Sequence, residues 1–111
     1  MLNCSEFCIF YIKNINGSLD RVIAIKYNGV EKFTFTYNVS GQLYSSTDLV
    51  NGKVYTYEYD SLDRLIRATE KTTSGTFVMA TSNQFDSFGR ASASSYTFAN
   101  NDLLNYWIEY N

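Results

Sequence analysis

Tyr57-Glu58-Tyr59-Asp60-Ser61-Leu62-Asp63-Arg64-Leu65 is one copy of a pattern that this 111-residue chain writes several times. Tyr37-Asn38 precedes Gly41 and Leu43; Phe85-Asp86 precedes Gly89, Arg90 and Ala91. Lys13-Asn14 is a worn copy before Gly17 and Leu19, and Tyr110-Asn111 opens another. The marks at Asn14, Asn38, Asp60, Asp86 and Asn111 are separated by 24, 22, 26 and 25 residues. A near-fixed period of that size signals a repeat architecture. A repeat chain acts through the surface or container it builds, so the motif reads first as a register mark.

Around each mark, apolar and polar residues alternate. Phe33, Phe35 and Tyr37 share one strand face, with Thr34 and Thr36 on the other. Tyr55, Tyr57 and Tyr59 do the same against Thr56, Glu58 and Asp60. A period of two specifies half-buried strands. Turn residues fall between the runs at Asn16-Gly17, Asn28-Gly29, Ser40-Gly41, Asn51-Gly52, Ser74-Gly75 and Phe88-Gly89. Asn-Gly marks hairpins because type I′ turns need positive φ at both central residues.

Strands are predicted at Glu6–Lys13, Leu19–Tyr27, Lys32–Tyr37, Leu43–Leu49, Lys53–Tyr59, Arg64–Thr72, Thr76–Gln84, Arg90–Phe98 and Leu103–Tyr110. Asp102–Trp107 could open a helix, but the period places a strand there. Short connections require antiparallel neighbours. The expected fold is an all-β antiparallel meander of consecutive hairpins, one module over 1–111, strongly twisted or curled. Equivalent stacking would bring Tyr37, Tyr59, Phe85 and Tyr110 near one another on one face.

Composition narrows the function. Net charge is −2, from nine basic and eleven acidic residues without a basic stripe, so nucleic acid is not the expected partner. No apolar run reaches the ~18 residues of a membrane span. The first residues lack a basic n-region, so no signal peptide is expected in this chain. There is no histidine, which removes Ser-His-Asp and Cys-His mechanisms. There is no proline to blunt a sheet edge. Phe7–Ile12 is apolar on both faces. The sheet is therefore expected to close into a barrel-like form or to self-associate through its edge strands.

The copies in register resemble the YD repeat of RHS (rearrangement hotspot) proteins, usually Tyr-x-Tyr-Asp-x-x-Gly-Arg-Leu. In the copy at Tyr57, Asp63 stands for the usual Gly. The copy with Tyr37, Asn38, Gly41 and Leu43 has Asn for Asp and Gln42 for Arg. Phe85, Asp86, Gly89 and Arg90 keep all but the Tyr. Tyr59, Asp60, Arg64 and Leu65 complete the set of signature residues. The resemblance covers the chain from about Lys13 onward. It implies a non-enzymatic hairpin module from the β-shell of a larger extracellular or cell-surface protein, some of which enclose toxins. Neighbouring YD repeats would be its partners, and this chain would be a stretch of a longer object. The resemblance also brings a second reading, a carbohydrate-binding surface on the aromatic face, with Tyr44 and Trp107 as candidate ligand contacts.

Other chemistry has a simpler structural reading. Cys4 and Cys8 on one extended strand would lie ~13 Å apart at ~3.3 Å per residue. A disulfide needs less than roughly 7 Å, so they are expected not to bridge each other. Glu58, Asp60 and Asp63 lack the cleft that a glycosidase carboxylate pair needs. They read as solvated acids, with Arg64 and Arg67 near enough for exposed ion pairs. Their spacing does not match an EF-hand loop. No metal, cofactor or catalytic residue is expected. Asn3, Asn16 and Asn38 head glycosylation acceptors, which matter only in a eukaryotic secretory pathway.

Overall fold

The computed structural model describes residues 7–12 and 21–110. Nine strands follow the chain: β1 Phe7–Ile12, β2 Arg21–Tyr27, β3 Val30–Tyr37, β4 Leu43–Asp48, β5 Lys53–Tyr59, β6 Leu65–Thr72, β7 Phe77–Phe85, β8 Ala91–Phe98 and β9 Leu103–Trp107. Their order in the sheet is their order in sequence, with β1 and β9 as the two end strands. The all-β antiparallel meander is therefore the observed fold, with no helix among the described residues. The linear order does not give the barrel-like closure, because no pairing joins β1 to β9. The worn copy at Asn14 and the mark at Asn111 lie outside the described residues.

Two compact units divide the chain, Met1–Val54 and Tyr55–Asn111. In the first, Asn28 and Gly29 take φ of 51° and 76°. Tyr27 consequently faces Val30 directly, and β3 starts two residues before the predicted Lys32. In the second, β6 to β9 pair in successive antiparallel ladders.

Register shifts punctuate most ladders. Thr36 pairs with Ser45 but Tyr37 pairs with Leu43, which leaves Tyr44 as the extra residue of a bulge. Gln84 pairs with Ala93 but Phe85 pairs with Ala91, which leaves Ser92 extra at the equivalent place. A bulge bends its strand and re-aims the next side chain. Here it falls beside the motif aromatic in both copies.

Cys8 is disulfide-bonded, which overturns the expectation of unbridged cysteines. That expectation assumed one extended strand carrying both cysteines. β1 is described from Phe7 onward, and Cys4 lies outside the described residues.

The buried core is three alanines, Ala24, Ala80 and Ala93; no large side chain is fully buried among the described residues. Ala80 sits between Thr69 and Thr97, and Ala93 between Gln84 and Trp107. Stability must then come mainly from cross-strand side-chain pairs, each contributing roughly 0.2–1 kcal/mol, and from well-made turns.

Candidate functional site

The motif builds a turn first. Asp60 N–H donates to Arg64 C=O at 2.9 Å, and Asp63 N–H donates to Asp60 C=O at 3.0 Å. Asn38 with Gln42 and Gly41, and Asp86 with Arg90 and Gly89, repeat both bonds. The residue three after the mark takes positive φ every time: Gly41 86°, Asp63 63° and Gly89 81°. This is the type I turn closed by a left-handed residue that serves three-residue hairpin loops. It explains why glycine recurs there, since a Cβ makes that conformation costly.

Asp63 bears the cost that Gly41 and Gly89 avoid. Asp63→Gly is expected to stabilise the protein by about 0.5–1 kcal/mol, because glycine's greater unfolded-state entropy offsets part of the relief. Urea unfolding of the two proteins checks it.

The carboxylate caps this turn. Asp60 Oδ1 accepts from Leu62 N–H and Arg64 N–H, each at 2.9 Å, while Oδ2 accepts from Arg64 Nε at 2.7 Å. Asp86 makes the same three bonds with Phe88 and Arg90. Asn38 reproduces the arrangement without charge. Its Oδ1 accepts from Ser40 and Gln42 N–H, and its Nδ2 donates to Gln42 Oε1 at 2.9 Å. The Asn-for-Asp and Gln-for-Arg differences are thus one joint exchange, an ion pair replaced by an amide pair.

The backbone N–H of Arg64 is the largest influence holding the Asp60 carboxyl below its ordinary value, with the Arg64 side chain adding to it. The backbone N–H of Arg90 does the same for Asp86. A depressed folded-state value means that the stabilisation is fully present above the ordinary carboxyl value of 3.8. It is lost as pH falls through the lower folded value. Acid below about pH 4 should therefore loosen the Asp60 and Asp86 turns while the uncharged Asn38 turn persists. Amide exchange at Leu62, Arg64, Phe88 and Arg90, compared with Ser40 and Gln42, checks this directly.

The arginines also reach the next copy. The Arg64 guanidinium carbon lies 4.3 Å from the centre of the Phe85 ring, and that of Arg90 lies 4.0 Å from the Tyr110 ring. In the first unit, Arg21 stands 5.7 Å from the Tyr37 ring, and a Cβ on Gly41 would collide with its guanidinium. These are cation–π distances. Phe85 and Tyr110 belong to alternate hairpins, and strands two apart lie ~10 Å from each other. An arginine from the turn of the preceding hairpin meets each of these two rings.

A hydrogen bond completes each meeting. Tyr37 OH donates to the carbonyl of Val22, the residue after Arg21, at 2.7 Å. Tyr110 OH donates to the carbonyl of Ala91, the residue after Arg90, at 2.6 Å. Phe85 has no hydroxyl. The equivalent carbonyl, Leu65, instead accepts from Asn83 Nδ2 at 3.3 Å, and Asn83 Oδ1 accepts from Ser94 Oγ at 3.0 Å. Residues 83 and 85 share a strand face, so the amide stands in for the missing phenol.

Residues 37–76 match the protein-family model RHS Repeat. This segment is similar to an RHS repeat. The match spans the Asn38 and Asp60 turns, and the Asp86 turn repeats the RHS-repeat geometry beyond it. No curated protein matches the chain.

Tyr57 and Tyr59 of the RHS repeat lie half-buried on β5. Burial, and then neighbouring Tyr57, raise the Tyr59 hydroxyl above its ordinary value, so it stays neutral. Glu58 is exposed and reaches Arg67 at 3.5 Å, the expected surface ion pair. Tyr44 is exposed because it is the bulge residue. Trp107, 75% exposed, borders a depression of about 60 Å³ with Ser82, Gln84, Ser95 and Asn105. Among the described residues, no three acidic or cysteine side chains gather as metal ligands, and no helix is long and apolar enough to cross a membrane.

Proposed function

We propose that this chain is a non-enzymatic wall module of a larger extracellular or cell-surface RHS-repeat protein, and that its neighbouring repeats are its partners. The observation that carries the reading is the contact from Arg64 to Phe85 and from Arg90 to Tyr110. The Asp60 and Asp86 turns each present a cation to the motif ring that follows, so the motif specifies how repeats are added rather than how a substrate is held. The acids that catalysis would use are already committed, since both oxygens of Asp60 and of Asp86 accept hydrogen bonds within their own turns. Sequencing the coding region on both sides tests the wall reading. Further copies in the same register support it, and a reading frame without another repeat overturns it. A hydrolase activity dependent on Glu58 or Asp60 overturns the non-enzymatic part.

Trp107 favours a second reading, carbohydrate binding. An exposed indole flanked by Gln84 and Asn105 offers a sugar a stacking face beside polar side chains. On this reading, saturable binding on a glycan array disappears in Trp107→Ala and survives in Tyr44→Ala.

A further inference from the structure

The β2–β3 hairpin turns on Asn28-Gly29, with Tyr27 directly opposite Val30. Positive φ at both central residues, 51° and 76°, makes the turn type I′. Tyr27, Asn28, Gly29 and Val30 are all exposed. A Cβ built on Gly29 would meet nothing within 4 Å, so the peptide after Asn28 stands in open space. Among the described residues, no hydrogen bond holds the Asn28 side chain. Asn51-Gly52, in the same compact unit, is held differently. Asp48 Oδ2 accepts from Asn51 Nδ2 at 2.8 Å, and Asp48 Oδ1 accepts from Asn51 N–H at 3.0 Å. The Asn51 side-chain amide, and then its backbone N–H, hold the Asp48 carboxyl below its ordinary value, so an anion lies beside that amide at neutral pH.

We infer that Asn28 is a site of spontaneous deamidation and isomerisation in the folded protein, and that Asp48 protects Asn51 from the same reaction. The Gly29 nitrogen attacks Asn28 Cγ and forms a bond to it. The Cγ–Nδ2 bond breaks, and Nδ2 leaves as ammonia with the proton that Gly29 gives up. Water then opens the five-membered succinimide on either side of its nitrogen. One opening gives aspartate; the other gives isoaspartate, whose backbone runs through Cγ. Closing the ring demands a ψ that a type I′ turn does not give its first central residue and a type II′ turn does. Both types fit a two-residue hairpin, and both hold that residue at positive φ. Flipping the one peptide between Asn28 and Gly29 therefore reaches the ring while the strands stay paired. At Asn51 the same closure must break the bond from Nδ2 and build the negative charge of the attacked amide beside a carboxylate. Isoaspartate at position 28 adds a backbone atom to a loop whose two-residue length sets the Tyr27–Val30 register. This chemistry is independent of the wall-module reading.

Peptide mapping by mass spectrometry tests the inference on the folded full chain held in mildly alkaline buffer, with a parallel incubation in guanidinium chloride. In the folded chain Asn28 should convert to aspartate and isoaspartate about tenfold faster than Asn51, the least that breaking one bond to a carboxylate implies. In denaturant, where neither turn exists, the two rates should converge. Asp48→Ala should bring Asn51 close to the rate of Asn28 in the folded chain. Equal rates at the two sites in the folded wild-type protein overturn the inference without reliance on any variant, as does an Asn28 that outlasts Asn51. An unchanged Asn51 rate in Asp48→Ala overturns the protection assigned to Asp48.

Discussion

Arg64→Ala should lower the unfolding midpoint of the protein by several degrees and loosen two hairpins at once. The guanidinium serves its own turn through Nε to Asp60 and the following hairpin through the face of Phe85. Alanine removes both. The double substitution Asp60→Asn with Arg64→Gln separates them. It copies the Asn38–Gln42 pair, which holds the same turn without charge, but it leaves no cation for Phe85. The difference between Arg64→Ala and the double variant then reports the turn contribution. The remaining gap to wild type reports the contact between hairpins, about 0.5–2 kcal/mol for a cation–π pair of intermediate exposure. In a domain of this size each kcal/mol moves the midpoint by about 4–8 °C. Arg64→Lys should recover little, because an ammonium offers neither the planar stack nor the fork. Thermal unfolding of the four proteins provides the measurement, with amide exchange on either side of Phe85 showing whether the next hairpin responds. If Arg64→Ala and the double variant match wild type, the arginine is a surface ion pair and nothing more.

The turns were legible in the sequence because their requirement is local. A left-handed residue three after the mark leaves Gly41 and Gly89, and the carboxylate or amide cap leaves Asn38, Asp60 and Asp86. Strand identity was legible for the same reason, since alternation is a local pattern. The second role of arginine was not. Arg64 and Phe85 belong to different copies of the motif, and their meeting depends on the strand ladder, not on spacing within a copy. The bulge at Tyr44 also left no mark, although the exposure of that side chain follows from it. Asn83 was missed, although a signal existed. Phe85 is the one motif aromatic lacking a hydroxyl among those at Tyr37, Tyr59 and Tyr110, and an amide two residues before it shares its face. The cysteine expectation failed because it assumed that Cys4 and Cys8 share one extended strand, whereas Cys8 is disulfide-bonded.

That substitution supports the second large effect. Asn83→Leu should destabilise the protein by about 1–2 kcal/mol, because it leaves the half-buried Leu65 carbonyl without its donor and also strips Ser94 of its acceptor. Phe85→Tyr alone should change little, since its new hydroxyl would compete with Asn83 for one carbonyl. The two substitutions together should recover most of the Leu65 share of the loss, because the tyrosine hydroxyl can then make the bond that Tyr37 makes to Val22 and Tyr110 makes to Ala91. The recovery will be partial, since the Ser94 hydroxyl stays without Asn83 Oδ1. A double-mutant cycle by urea unfolding measures it, and a favourable coupling between positions 83 and 85 of at least 0.5 kcal/mol is expected for groups sharing one partner. Additive effects would mean that Asn83 serves Ser94 alone. Favourable coupling would show that the tyrosine of this motif contributes two separable things, a ring for the preceding arginine and a donor for the carbonyl beside it, and that β7 assigns them to two residues.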